Sequence, residues 1–533
     1  MVKNLIKQEM LLYLDRYKIL ILIGCMLFES SFFAQMLPKE ENQLWIKANK
    51  AFDLGDFLSA KMGYDELIKT DSINEELNFK LGVVNYELKR YKSAAKQNFS
   101  RVNPLKFPET YYYLALIAHS EEKFDEAIIN FKIYKKSKYR IHSKKDIDFL
   151  IDKSKYATTL EDNLNSEIEL VNLGNNVNSE YDDFSPLLSI DEDYLLFTSR
   201  RENEIFKEQN AYGDYFENIY ITKQNGDNWT TPTLLDTTIN TRYNESCTGL
   251  SVDGKQLLLF RTSDDLKSGD IYESNYINNE WTIPVKLSEV VNSEGNKETS
   301  ACYLPSGNAI IFSSDRPGGY GGKDLYMVKR LPNNQWGEPF NLGSTINTPY
   351  DEDAPFVHPV ENVLFFSSKS HENMGGYDIF QSVYNYESGS FETPINLGKP
   401  INTVNDDMFF VLNKDATKGF LSSERVDGLG MQDIYEVEFN GLPKNLMVYH
   451  VNFLNEMEEL VNEVEVQLYT IKKNKNKMYG KYKTNAHNGK MVIVTNPNKE
   501  YQLKIVAKGY EEKTFNVFFD KSQYLTFRLA KSN

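Results

Sequence analysis

The chain has 533 residues, 41% hydrophobic and 13% aromatic, with a net charge of −16; it is too long for one domain of roughly 100–200 residues and too apolar to be mainly disordered. The acidity sits in the middle: residues 166–440 hold 19 Lys+Arg against 44 Asp+Glu, whereas residues 39–165 hold 22 against 20 and residues 441–533 hold 15 against 9. A middle region this acidic repels phosphate backbones, which argues against nucleic acid as a partner.

At the start, the apolar run Ile19 to Phe28 follows Arg16 and Lys18 and precedes Ser30, Ser31 and Ala34. A basic start, a short apolar core and a small residue are the layout of a secretory signal peptide, here residues 1–34, and the run is too short to span a bilayer. A second reading stays open, because Leu22-Ile23-Gly24-Cys25 resembles a lipoprotein box with Cys25 as the lipidated residue. Either reading places the mature chain outside the cytoplasm.

Residues 40–165 change to helical spacing. Phe57, Tyr91 and Phe124 fall 34 and 33 apart, each followed three residues later by Ala60, Ala94 or Ala127. Leu81-Gly82 and Leu114-Ala115 supply another small position; Tyr64 and Phe131 supply a later aromatic, for which the second copy has Asn98 with Phe99 one place off. The pattern resembles tetratricopeptide repeats, which implies helix hairpins stacked through small and aromatic residues and a groove for a protein partner. A last helix near Lys144 to Leu164 is expected to cap the stack.

Residues 170–440 repeat a different unit. Its heads are Val177-Asn178-Ser179, Ile239-Asn240-Thr241, Val291-Asn292-Ser293, Ile346-Asn347-Thr348 and Ile401-Asn402-Thr403, with Asn spacings of 62, 52, 55 and 55. After each come an acidic or amide cluster, a short apolar strand, a Gly-rich turn and a second strand entered by Asn218, Asp270, Asp324, Asp378 or Asp433. Trp229, Trp281, Trp336 and Phe391 then open a last strand, followed by Pro232, Pro284, Pro339 and Pro394. Four short strands in about 55 residues are the signature of a propeller blade, since one sheet cannot bury both faces alone. The expectation is a β-propeller of about five blades, or six if an irregular blade lies around Glu202 to Asp214, closed by a strand near Leu170 to Leu173. Ser314-Asp315-Arg316-Pro317-Gly318-Gly319 with Asp324-Leu325-Tyr326 resembles the WD-like repeat of the TolB propeller family.

Chemistry is hard to place on this unit. The Gly-rich turns join strands and do not open a helix, so they read as hairpin turns needing positive φ and not as phosphate loops. Asp351-Glu352-Asp353 lacks the alternate-position ligands of a calcium loop. His119, His142, His358, His371, His450 and His487 are scattered without zinc spacing, and Cys247 and Cys302 read as small buried residues. The expectation is no catalytic residue, no metal and no cofactor.

After Gly441-Leu442-Pro443, residues 445–530 alternate as half-buried strands do, with Val464, Val466 and Leu468 on one side. Asn488-Gly489 and Gly509-Tyr510 carry a resemblance to the carboxypeptidase regulatory-like β-sandwich. The order of leader, helical repeats, WD-like propeller and sandwich resembles the PorE-type periplasmic proteins of Bacteroidota, without the OmpA-like domain that generally follows in them. That resemblance implies a multidomain α + all-β protein of the periplasm. Its role would be a non-catalytic scaffold or adaptor for outer-membrane or periplasmic proteins, linked to type IX secretion or gliding, with peptidoglycan binding unsupported. A glycan-recognising envelope module is the alternative.

Overall fold

The computed structural model describes residues 38–532 apart from 90, 162–167, 211–212, 264–267, 360–362, 386–389, 440–446, 473–474, 485–489, 496–498 and 520–522. The leader, Cys25 and the 441–443 linker therefore lie outside the described residues. No described helix is long and apolar enough to cross a membrane. The described residues fall into two units, 38–159 with 209–214, and 160–208 with 215–532.

The first unit holds helices α1 (Lys39–Asp53), α2 (Phe57–Leu67), α3 (Glu75–Glu87), α4 (Lys92–Phe99), α5 (Glu109–Ser120), α6 (Phe124–Lys136) and α7 (Lys144–Glu161). Consecutive helices pack as pairs, α1 on α2, α3 on α4 and α5 on α6. Asp56 accepts from the Ser59 N–H at 3.1 Å and Asn74 from the Leu77 N–H at 2.9 Å, capping α2 and α3. Close approach explains the small residues: a Cβ on Gly63 would lie 2.7 Å from Ala48 Cβ, and one on Gly82 2.7 Å from the Phe99 ring.

The spacing read from sequence is off by one in the middle pair. Ala60 and Tyr64 of α2, and Ala127 and Phe131 of α6, are fully buried, but in α4 the matching residues are Ala95 and Phe99. Tyr91, expected inside, is 39% exposed. A one-residue offset rotates a helix by about 100°. Asn98 is nevertheless buried, because it is bonded to Asn85 and Asn78.

In the second unit five antiparallel sheets form a closed, propeller-like ring among the described residues. Their first strands are Asp183–Leu188, Glu245–Leu250, Glu298–Tyr303, Glu352–Val357 and Asp407–Leu412. Each touches the next, and the last touches the first. All five carry a bulge, as between Phe184 and Leu187 or Asp353 and Phe356, which twists the strand where the ring is narrowest. The second strands are the apolar runs expected, with Leu195, Leu258, Ile310, Leu364 and Leu421 fully buried, and the third strands carry Asn218, Asp270, Asp324, Asp378 and Asp433 at their entries. No strand longer than a single bridge residue is described between 200 and 217.

The outer strands differ from sheet to sheet. In the first, second and fourth sheets the fourth strand is two dipeptides, such as Asn228–Trp229 and Thr233–Leu234, split around Pro232, Pro284 or Pro394. In the third it is Phe340–Asn341 alone, directly after Pro339. The fifth sheet takes its outer strand from the start of the unit: Ile168–Asn172 pairs antiparallel with Asp433–Phe439, Leu170 opposite Val437.

Residues Met447–Arg528 form a three-stranded and a four-stranded sheet. They share a core that includes Tyr449, Phe453, Val464, Val466, Leu468, Tyr501 and Ile505. The alternation read at Val464 to Leu468 therefore marks the buried face of a sandwich strand.

Candidate functional site

The head of each repeat forms a side-chain clamp. The Asn347 Oδ1 accepts from the Leu325 N–H at 2.8 Å and its Nδ2 donates to the Leu325 carbonyl at 2.9 Å. Asn240, Asn292 and Asn402 hold Ile219, Ile271 and Ile379 in the same way. Asn178 holds Ile434, 256 residues away, at 2.9 and 3.0 Å. Each Asn thus satisfies both backbone groups of one residue in the third strand of the preceding sheet, and the first head does this for the last sheet.

Next to each clamp a fully buried acid caps the loop: Asp183, Glu245, Glu298, Glu352 and Asp407 accept from Ser179, Thr241, Ser293, Thr348 and Thr403. In four sheets an arginine pairs with that acid: Arg201 with Asp183 at 2.5 Å, Arg261 with Glu245 at 2.9 Å, Arg316 with Glu298 and Arg425 with Asp407 at 3.3 Å. The same guanidiniums bond the carbonyl just before the clamp and lie against a Tyr ring. The fourth sheet breaks this rule. His371 donates from Nε2 to the Ile346 carbonyl at 2.9 Å and packs on Phe366 and Phe380. Glu352 is left with Thr348 and Ser368 as partners. Burial, with no arginine against it, pushes its carboxyl up to about 7. Asp407, buried but paired with Arg425, is pushed up to about 6.

The Gly-rich turns correct the sequence reading. Gly318 has positive φ, +96°, but Gly321 is needed because its Cβ would lie 2.2 Å from the Pro349 carbonyl carbon, and Gly375 because its Cβ would lie 2.4 Å from that of Val404. Here it is contact with the next sheet that selects glycine, more than turn geometry.

One charge cluster outside these shared residues lies between the third and fourth sheets. Lys323 pairs with Asp353, which also accepts from Thr299, Ser300 and the Ala354 N–H. Burial opposes the Asp353 charge, but Lys323 and these donors outweigh it and hold the carboxyl below its usual range. Asp351, also held low against burial, pairs with Lys369 at 2.9 Å and accepts from the Lys323 N–H at 3.0 Å. The Tyr377 ring lies beneath both ammonium groups, 5.6 and 4.6 Å from its centroid. Asp351, Glu352 and Asp353 therefore each have their own partners. A carboxylate held low by several donors is a poor proton acceptor. Sequence reasoning missed this cluster, although Lys323 is a cation where sister repeats carry Glu217, Gly269, Tyr377 or Gln432, and Asp353 a charge where they carry Phe184, Ser246, Thr299 or Met408.

Other candidates are dispersed. Cys247 and Cys302 are buried free thiols pushed up to about 12 by burial. His119 Nδ1 meets Ser154 Oγ at 2.9 Å in the helical unit, and His358 Nε2 meets the Asn413 carbonyl at 3.1 Å in the ring. Among the described residues no group of three His, Cys, Asp or Glu is placed to hold a metal. Ser185, Thr248, Tyr303, Ala354 and Phe409, one from each first strand, line a cavity of about 70 Å³ at the ring centre, room for a few waters.

No protein-family model matches the chain, and no curated relative is detected. Among solved structures, a complex of BT0996 with RGII is 7% identical over 53% of this chain and 94% of its own, with a TM-score of 0.38. A mutant B. subtilis levansucrase is 12% identical over 47% and 80%, TM-score 0.32. A Rhodococcus opacus 3-chlorocatechol 1,2-dioxygenase is 11% identical over 16% and 60%, TM-score 0.14. The chain thus spans under two thirds of the dioxygenase's length. At such scores none of them bears on what this chain does.

Proposed function

We propose that the chain is a non-catalytic scaffold of the cell envelope that binds other proteins. In this reading the ring is a five-bladed propeller of the WD-like kind, the helix pairs are tetratricopeptide repeats, and the sandwich is a regulatory-like module. A signal peptide delivers the chain to the periplasm, where it acts as an adaptor to an outer-membrane protein in a secretion or gliding assembly. One observation carries the reading: the residues that recur in the ring are consumed in holding the ring. The Asn clamps, the arginine-paired acids and the contact-selected glycines all face other parts of the ring, and the unshared Lys323 and Asp353 neutralise each other. Binding then falls to outer surfaces, as suits an adaptor.

The test is capture from native envelope on the immobilised full chain, with and without glycan-degrading enzymes. Retention of one outer-membrane protein after glycan removal is expected. Capture of glycan without any outer-membrane protein overturns the reading in favour of a glycan-binding module.

A further inference from the structure

We propose that the outer edge of the fifth sheet, strand Ile168–Asn172, is a docking edge for an extended, lysine- or arginine-bearing segment of a partner protein. The inference deepens the adaptor reading and rests on it.

The first four sheets are blunted at their rims. Their outer strands are two-residue pieces adjoining Pro232, Pro284, Pro339 or Pro394, and a proline without an N–H cannot extend a ladder. The fifth rim is an unbroken strand of five residues, Ile-Glu-Leu-Val-Asn, and no described strand pairs with its far side. Its backbone polarity follows from the register. Leu173 donates its N–H to the Ile434 carbonyl at 3.2 Å, and inward and outward groups alternate along an antiparallel strand. Glu169 and Val171 therefore bond inward, and the N–H and carbonyl groups of Ile168, Leu170 and Asn172 turn outward. Such a row is the template for an added strand.

Charge selects the occupant. Across the sheet Glu169 lies opposite Glu438, and Glu438 opposite Lys418. Lys418 is already shared by Glu436 at 2.7 Å and Glu438 at 3.7 Å. Glu169 is exposed and has no ion-pair partner among the described residues. A strand placed beside Ile168–Asn172 sets one residue directly across from Glu169, where a cation is favoured and an anion is not. Self-pairing of two copies would instead bring two strongly acidic rings together.

The probe is a labelled peptide of alternating valine and lysine, with a valine–glutamate version as control, titrated onto the full chain by fluorescence anisotropy and located by hydrogen exchange. The lysine peptide is expected to bind and to slow exchange over residues 168–172. N-methylation at its ladder positions should weaken binding about tenfold or more. Exposed-site Glu169→Lys should reverse the preference between the two peptides. Leu170→Pro, which removes an outward N–H, should also abolish binding, while Leu170→Ala controls for lost packing.

Equal binding of the N-methylated peptide, protection elsewhere on the chain, or an unchanged preference in Glu169→Lys overturns the proposal. So does a wild-type dimer in sedimentation that Leu170→Pro dissolves, since the edge would then belong to a second copy. Envelope capture that persists in Glu169→Lys and Leu170→Pro while peptide binding is lost leaves the adaptor reading standing and removes only this edge as its basis.

Discussion

In the helical unit, neighbours meet mainly through shape: Ala60, Ala95 and Ala127 lie one turn before Tyr64, Phe99 and Phe131, Gly63 and Gly82 let the partner helix approach, and a buried amide cluster, Asn78, Asn85 and Asn98, joins α3 to α4. In the ring a buried polar joint recurs at every junction: an Asn clamp joins each sheet to the next. The difference is one of reach. Between the helices of a pair the side-chain hydrogen bonds span 13 to 20 positions, whereas the ring depends on Asn178 meeting Ile434 across 256. Apolar packing tolerates a changed neighbour at graded cost; a clamp that loses its side chain strands a buried backbone N–H outright, while the carbonyl keeps one backbone donor.

The comparison can be broken at three points. Phe131→Ala removes a fully buried ring and is expected to cost about 4 kcal/mol. The loss should be confined to the helices, read as early loss of helical circular dichroism with the near-ultraviolet signal of the ring intact. A single joint transition would contradict the local character assigned to this unit.

Asn178→Ala leaves the buried Ile434 N–H without an acceptor, while the Ile434 carbonyl keeps the Leu173 N–H, and is expected to cost the ring about 3 kcal/mol in urea unfolding. Asn347→Ala should cost about as much. A much cheaper Asn178→Ala would mean that the first and last sheets are less firmly joined than the others.

The smallest effect is a pH slope contributed by Glu352 of the fourth sheet. The Glu352 carboxyl rises from 4.5 unfolded to about 7 folded, so the folded state holds its proton more tightly. The stability this contributes is present at low pH and is lost as pH rises from 4.5 through 7. Relative to Glu352→Gln, wild type should lose about 2 kcal/mol between pH 5 and pH 7. Parallel stability curves for the two proteins would show that the folded state holds the Glu352 proton no more tightly than the unfolded chain does.

Much of this was legible from sequence where spacing carries the physics. The five heads and the apolar strands follow from repeat distance, because each sheet must bury its faces against the next, and the borrowed closing strand follows from the last repeat's lack of a fourth strand after Phe439. The offset at Ala95 and Phe99 was not, since Tyr91 and Ala94 mimic the neighbouring spacing and the deciding factor is which face of α4 meets Gly82. The reason for Gly321 was also hidden, because it lies in the Pro349 backbone of another sheet. Lys323 and Asp353 were visible as departures from the repeat, but their pairing required the ring to be closed.

The closing strand also sets a clock. Residue 178 leaves the ribosome 256 residues before residue 434, a gap of roughly 13 to 50 s at ~5–20 residues per second. Ile168–Asn172 must stay unpaired through that interval, the longest wait of any strand in the ring. A circular permutant that begins at Asp183 and appends residues 168–182 after Phe439 through a short linker would turn this longest-range pairing into a local hairpin while keeping the Asn178 clamp. It should close the ring faster without altering its final contacts.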